Sequence, residues 1–223
     1  MASGRSARRS SRPAAPLTAL GLGVALAAAA AVSATLRADR TPPVEAGPVT
    51  PLPAVQVLRD GDLVFRRGRD LMAGIVLAQD DRARFSHVGM LLIDDGRPMV
   101  VHATPGEGQG PSGVLRESLQ AFAAAELAAE VAVFRAPNLT PAAGAALRRY
   151  LEAQVGKPFD LGFVYSDDTT MYCTELVLKA LRAGGVDLAP RLATVSAPTL
   201  REPAYSPDGL RRDAMLSEIR DQP

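Results

Sequence analysis

Three side chains hold the nucleophilic and imidazole chemistry of this chain: Cys173, its single cysteine, and His87 and His102, its only histidines. A thiolate can attack a carbonyl carbon, and an adjacent imidazole can take the thiol proton and later return it to a leaving group. The ordinary reading of Cys173 is a core thiol, because it lies three and four residues before Leu176 and Val177 and so continues an apolar stripe. Position counts against that reading. Cys173 falls in the first turn of the predicted helix in "YCTELVLKALRAGG", where unpaired N–H groups and the positive dipole end favour a thiolate. Glu175 is near the same end, but two positions along a helix it projects from a different face.

The histidines come from "SHVGMLLIDDGRPMVVHAT", two apolar runs around Asp95-Gly96, a pair suited to a tight reversal. If the chain turns there, residues whose numbers sum to 191 face each other, and His102 stands opposite Gly89. His87 and His102 then project from one sheet face as diagonal neighbours roughly 7–8 Å apart. The Cys173 helix is expected to pack against that face. Each histidine alone reads as a hydrogen-bonded sheet residue; both on one face, in a chain with one cysteine, read as a site. Zinc is the competing account of two histidines and a cysteine, but no metal-ligand spacing surrounds them, and the expectation is no metal and no cofactor.

The remaining elements must present these groups. "GDLVF" reads as a buried strand, "DLMAGIVLAQD" as a helix started by Asp70, and "EVAVFRA" as a further strand. Thr140-Pro141 caps a helix running to Gly156, and Gly184-Gly185 stops the Cys173 helix. Strands and helices mix without βαβ alternation, which predicts an α+β fold. The glycine-rich loop from Thr104 to Gly113 lacks the Lys-Ser/Thr of a phosphate loop and reads as a rim. Asp167-Asp168 reads as a solvated turn, and Tyr172 as either packing or a donor to an oxyanion.

In order, "GDLVF", "SHVGMLL", "VHATPGEG", "GKPFD" and "YCTELV" resemble the permuted papain-fold cysteine hydrolases, the YiiX-like branch of the NlpC-type superfamily, over roughly Arg59 to Gly185. In ordinary NlpC-type enzymes the cysteine helix precedes the histidine strand; here His87 precedes Cys173, the order of the permuted branch. The resemblance implies a permuted papain-like fold, Cys173 as nucleophile, His87 as base, and His102 at the third, polar position that orients the base. Many relatives carry a carboxylate there, while the lecithin:retinol acyltransferase type carries a histidine. Tyr172 and the Cys173 amide are the candidates for holding an oxyanion. The implied activity is cysteine peptidase or amidase chemistry on a peptide or acyl-amide substrate, with peptidoglycan peptides the first substrate expected. A lipid acyltransferase and a non-catalytic binding module are the alternatives.

Arg5, Arg8, Arg9 and Arg12, the apolar stretch "PLTALGLGVALAAAAAVSATL" and the small residues Val32-Ser33-Ala34 make residues 1–36 a signal peptide or an N-terminal membrane anchor. Cutting after Ala34 removes four arginines and no acid, turning a formal charge of +1 into −3; that balance offers nucleic acid no basic surface. Residues 37–56 form a proline-rich linker, 57–190 the hydrolase domain, and 191–223 a tail over the surface or frayed. The expected location is the periplasm or cell envelope. Residues 1–56 fused to a reporter active only after export should give an active reporter; activity confined to the cytoplasm would refute this assignment.

Overall fold

The computed structural model describes residues 51–106, 110–137, 139–196 and 200–220, so the predicted signal or anchor and most of the linker lie outside the described residues. Among the described residues no helix is long and apolar enough to cross a membrane. The first strand, β1 (Leu63–Gly68), begins with Leu63, Val64 and Phe65 all buried, as a strand covered on both faces must be. Helix α1 (Leu71–Leu77) follows, its first turn capped by the Asp70 carboxylate on the Ala73 amide at 2.8 Å.

Strands β2 (His87–Asp94) and β3 (Arg97–Thr104) form the expected hairpin. Asp95 and Gly96 both take positive φ, 49° and 77°, the conformation a two-residue reversal requires. The register runs from Asp94 opposite Arg97 to Gly89 opposite His102, as the 191 sum demands. Next come β4 (Gly113–Ser118), a short α2 (Leu119–Phe122) and β5 (Ala128–Arg135). Helix α3 (Pro141–Gln154) starts at Thr140, whose hydroxyl accepts the Ala143 amide at 3.2 Å, and α4 (Cys173–Ala183) ends at Gly184.

The segment after Pro190, expected as a surface tail, is built into the domain. It forms a small hairpin, β6 (Thr194–Val195) with β7 (Ala204–Tyr205), then α5 (Pro207–Arg211) and β8 (Ser217–Ile219). The main sheet is antiparallel, in the order β4-β3-β2-β1-β5-β8. Buried Asp208 of α5 accepts the amides of Arg84 and Phe85 at 3.1 and 3.2 Å, which ties this segment to the loop entering β2.

The sheet faces are divided by residue parity. Leu63, Phe65, Val88, Met90, Val101 and Ala103 face one core, which α3 closes with Leu147 and Leu151 and α4 with Leu176, Val177 and Leu181. Val64, Leu91, Val100 and Val133 face the other, closed by Leu58, Leu119 and Phe122. Alternation puts His87 and His102 on the Phe122 side, and both imidazoles contact the Phe122 ring. The sequence reading placed α4 on the histidine face; it packs on the opposite one, because its stripe is matched by the larger apolar set at the even positions of β2.

Gly89 has a steric reason to be glycine. A Cβ there would lie 2.5 Å from Val100 Cγ1 and 3.0 Å from the His102 Cβ. Gly89→Ala should therefore lower stability by about 1–3 kcal/mol, the usual cost of overpacking, and disturb the histidine pair; unchanged thermal melts would show that the strands yield freely.

Candidate functional site

Cys173 is the first residue of α4 and is 7% exposed. Its position is fixed from both sides. Behind it, the α4 stripe is buried in the main core. Ahead of it, "GKPFD" clamps the incoming chain: Val114 donates to the Lys157 carbonyl at 2.8 Å and Gly156 to the Val114 carbonyl at 2.9 Å, fastening the motif to β4. Met171 then donates to the Pro158 carbonyl at 3.0 Å and Asp160 to the Met171 carbonyl at 2.9 Å. The buried Asp160 carboxylate takes the amides of Gly162 and Val164, closing the loop.

The sulfur is 3.9 Å from the Thr174 hydroxyl. Burial pushes the Cys173 thiol up, against hydrogen bonds from Thr174 and from the Val88, Thr174 and Cys173 amides, which favour the thiolate. The helix-terminus effect expected from sequence is present but outweighed by desolvation. Cys173 shares its core with Val88, the residue after His87 in β2. Neither imidazole hydrogen-bonds Cys173 in this state. Met72 and Ser86 line both the cavity at Cys173 and the smaller one at His87.

His87 Nε2 and His102 Nδ1 are 2.9 Å apart. His102 Nε2 in turn lies 3.0 Å from Oε1 of Glu117, on β4. This contact holds the Glu117 carboxyl below its ordinary range, against partial burial. The approach to Glu117 is close but not aligned as a hydrogen bond, and the buried Nε2 of His102 has no hydrogen-bond partner among the described residues. Between the two rings one nitrogen donates and the other accepts, according to the tautomer. A His87 that donates from Nε2 to His102 keeps its bare lone pair on Nδ1. Burial, then the charge of Arg66 and of His102, keeps His87 well below the usual imidazole value.

Glu117 was missed in the sequence. Its strand was not predicted, because "GVLRES" has only two apolar residues and follows the glycine-rich loop. The available signal was parity: Leu115 stands opposite His102, so Glu117, two residues on, shares its face.

Tyr172 caps no helix N–H; its amide donates to Glu175 at 3.1 Å, and its buried phenol oxygen accepts the Tyr205 amide at 3.2 Å. Glu175 is fully buried and its carboxyl is pushed up to about 7, chiefly by burial, with Lys179 2.7 Å away. Asp168 pairs with Lys179 at 2.6 Å and Asp167 accepts the Thr169 amide and hydroxyl, so this acidic pair makes a turn and an ion pair. Among the described residues no group of three or more His, Cys, Asp and Glu side chains could hold a metal ion.

A sequence model of the permuted papain-like amidase enzymes, YaeF/YiiX, C92 family, matches residues 57–205. The crystal structure titled metalloprotein YiiX, from Escherichia coli O157:H7, superposes with a TM-score of 0.59 at 22% identity, covering 74% of this chain and 97% of that one. No curated protein matches. The match to YiiX is one of fold.

If Glu117 fixes the His102 tautomer, Glu117→Ala should lower kcat by about tenfold or more with KM little changed, since orienting partners carry effects of about 10–100-fold. Glu117→Gln, which keeps an acceptor oxygen, should recover much of the loss. Equal activity in Glu117→Ala and the parent protein would remove Glu117 from the site.

Proposed function

As the chain belongs to the permuted papain-like amidases of the YaeF/YiiX, C92 family, we propose that it cleaves an amide bond with Cys173 as nucleophile and His87 as base. One observation carries this: His87 Nε2 meets His102 Nδ1 at 2.9 Å with Glu117 3.0 Å beyond, so a His87 that donates to His102 keeps Nδ1 free to act as base.

Sγ bonds to the substrate carbonyl carbon as its proton passes to His87 Nδ1. The carbonyl oxygen takes the negative charge, held by the Cys173 amide and the Tyr172 hydroxyl. When the C–N bond breaks, His87 returns the proton to the departing amine, leaving a thioester on Cys173. Water then attacks the thioester, giving its proton to His87, and the sulfur leaves and is reprotonated. The gap between Cys173 and His87 closes on substrate binding, as catalytic contacts often tighten only in the complex. The N-terminal segment supports action outside the cytoplasm, where peptide crosslinks of the cell envelope are the nearest amides.

The resting pair in this mechanism is thiol and neutral imidazole, since burial raises one group and lowers the other. A preformed thiolate–imidazolium pair is disfavoured on both counts. The acid limb of kcat/KM should therefore lie below the ordinary imidazole value of 6.5 and the alkaline limb above the ordinary thiol value of 9.0, with a plateau between. Cys173→Ala should abolish turnover with little change in thermal melting, and His87→Ala should cost about 10²–10⁴-fold, the usual share of a general base. His102→Ala should be milder. A much lower melting temperature for Cys173→Ala, with hydrolysis persisting, would make the cysteine structural.

A further inference from the structure

The cavity at Cys173 has a volume of about 170 Å³. It lies between α1, which supplies Met72, Ile75 and Val76, and the β6–β7 hairpin region, which supplies Val195, Leu200 and Ala204. Among the described residues that line it none is charged, in a chain of which 22% is charged.

Most of its polar groups already have protein partners. Ser86 Oγ accepts the Gly68 amide at 2.9 Å, Ser206 Oγ the Gly209 amide at 3.0 Å, and Gln79 donates to the Ile75 carbonyl at 3.2 Å. Ile75, at the wall, is 50% exposed, which gives the mouth an apolar lip.

The mechanism decides which half of a substrate enters. The leaving amine must be near His87, which protonates it. His87 belongs to a separate, smaller cavity lined also by Arg66, Asp70 and Thr104. The group retained on sulfur as the thioester must occupy the space that contains the sulfur, and that is the uncharged cavity.

Resting on the Cys173 reading, we propose that this cavity is the acyl subsite, and that it accepts an uncharged, apolar acyl group and rejects an acidic one. A carboxylate carried into it would lose water without gaining a partner, a cost of the kind that keeps unpaired charges out of apolar sites. An apolar pocket with a few convergent polar groups is also the usual form of a small-molecule site. The acyl chemistry is shared by a fatty acyl chain and by a peptide whose residue at the cleaved bond is apolar. Envelope peptides with an acidic residue at that point are excluded.

Four p-nitrophenyl esters test this: hexanoyl, glutaryl, N-acetyl-leucyl and N-acetyl-aspartyl, read as the rate of nitrophenol release and by the mass of the adduct on Cys173. Hexanoyl and N-acetyl-leucyl should acylate at least about tenfold faster than their acidic counterparts, the lower end of what one pocket contact discriminates. The ratio of those two rates separates lipid from peptide sources. Val76→Lys should raise the glutaryl rate relative to the hexanoyl rate by about tenfold.

Acylation of Cys173 by all four at similar rates, or a Val76→Lys protein with unchanged ratios, overturns the subsite while leaving the nucleophile standing. Absence of any adduct counts against the nucleophile instead. Calorimetry of hexanamide and of glutarate with the Cys173→Ala protein then judges the cavity alone: hexanamide binding without glutarate supports it, and equal or absent binding overturns it.

Discussion

The geometry of the site depends on the two-residue turn at Asp95-Gly96. Side chains alternate along a strand, so a slip of one residue would turn every side chain of β3 to the other face. Positive φ at both turn residues fixes the register and puts His102 opposite Gly89. Gly89, having no Cβ, lets the strand carrying His102 lie close, and the diagonal neighbour His87 reaches it at 2.9 Å. The same alternation carries Glu117 of β4 to the outer nitrogen of His102. A single turn thus sets the two histidines, and the separate β3–β4 pairing adds Glu117.

The sheet separates the two imidazoles from the thiol. The imidazoles belong to the Phe122 face, beside the Arg66 guanidinium, which lies over the Phe122 ring at 4.7 Å and donates to the Phe122 carbonyl at 3.1 Å. Cys173 belongs to the α4 face. The two faces are linked through β2, where Val88, in the Cys173 core, follows His87. Burial acts on both sides with opposite sign, since desolvation disfavours the charged form of either group. Burial thus favours the neutral form of both the Cys173 thiol and the His87 imidazole.

The segments after α4 also shape the site. Asp208 holds the amides of Arg84 and Phe85 just before β2, and Tyr205 ties down the phenol of Tyr172, the residue before Cys173. The family match accordingly extends to residue 205, beyond the boundary at Pro190 drawn from proline and charge content. Those residues read as a tail because their strands are two or three residues long, too short for alternation to show.

The sequence by itself determined the hairpin, its register, the helix that begins at Cys173, and the α+β class. These follow from local rules: turn residues that tolerate positive φ, apolar spacing, and caps at Asp70 and Thr140. The order of its short motifs was enough to indicate the permuted papain-like family. Only the tertiary structure decided that α4 covers the face opposite the histidines, since the apolar residues of β2 occur at both parities and either face could have taken the helix. It alone brought Glu117 to His102, because β4 is short and its pairing partner is set by space, not by sequence distance. It also decided the directions in which burial pushes Cys173 and His87, because desolvation depends on what surrounds a side chain after packing, and no spacing in the chain records that.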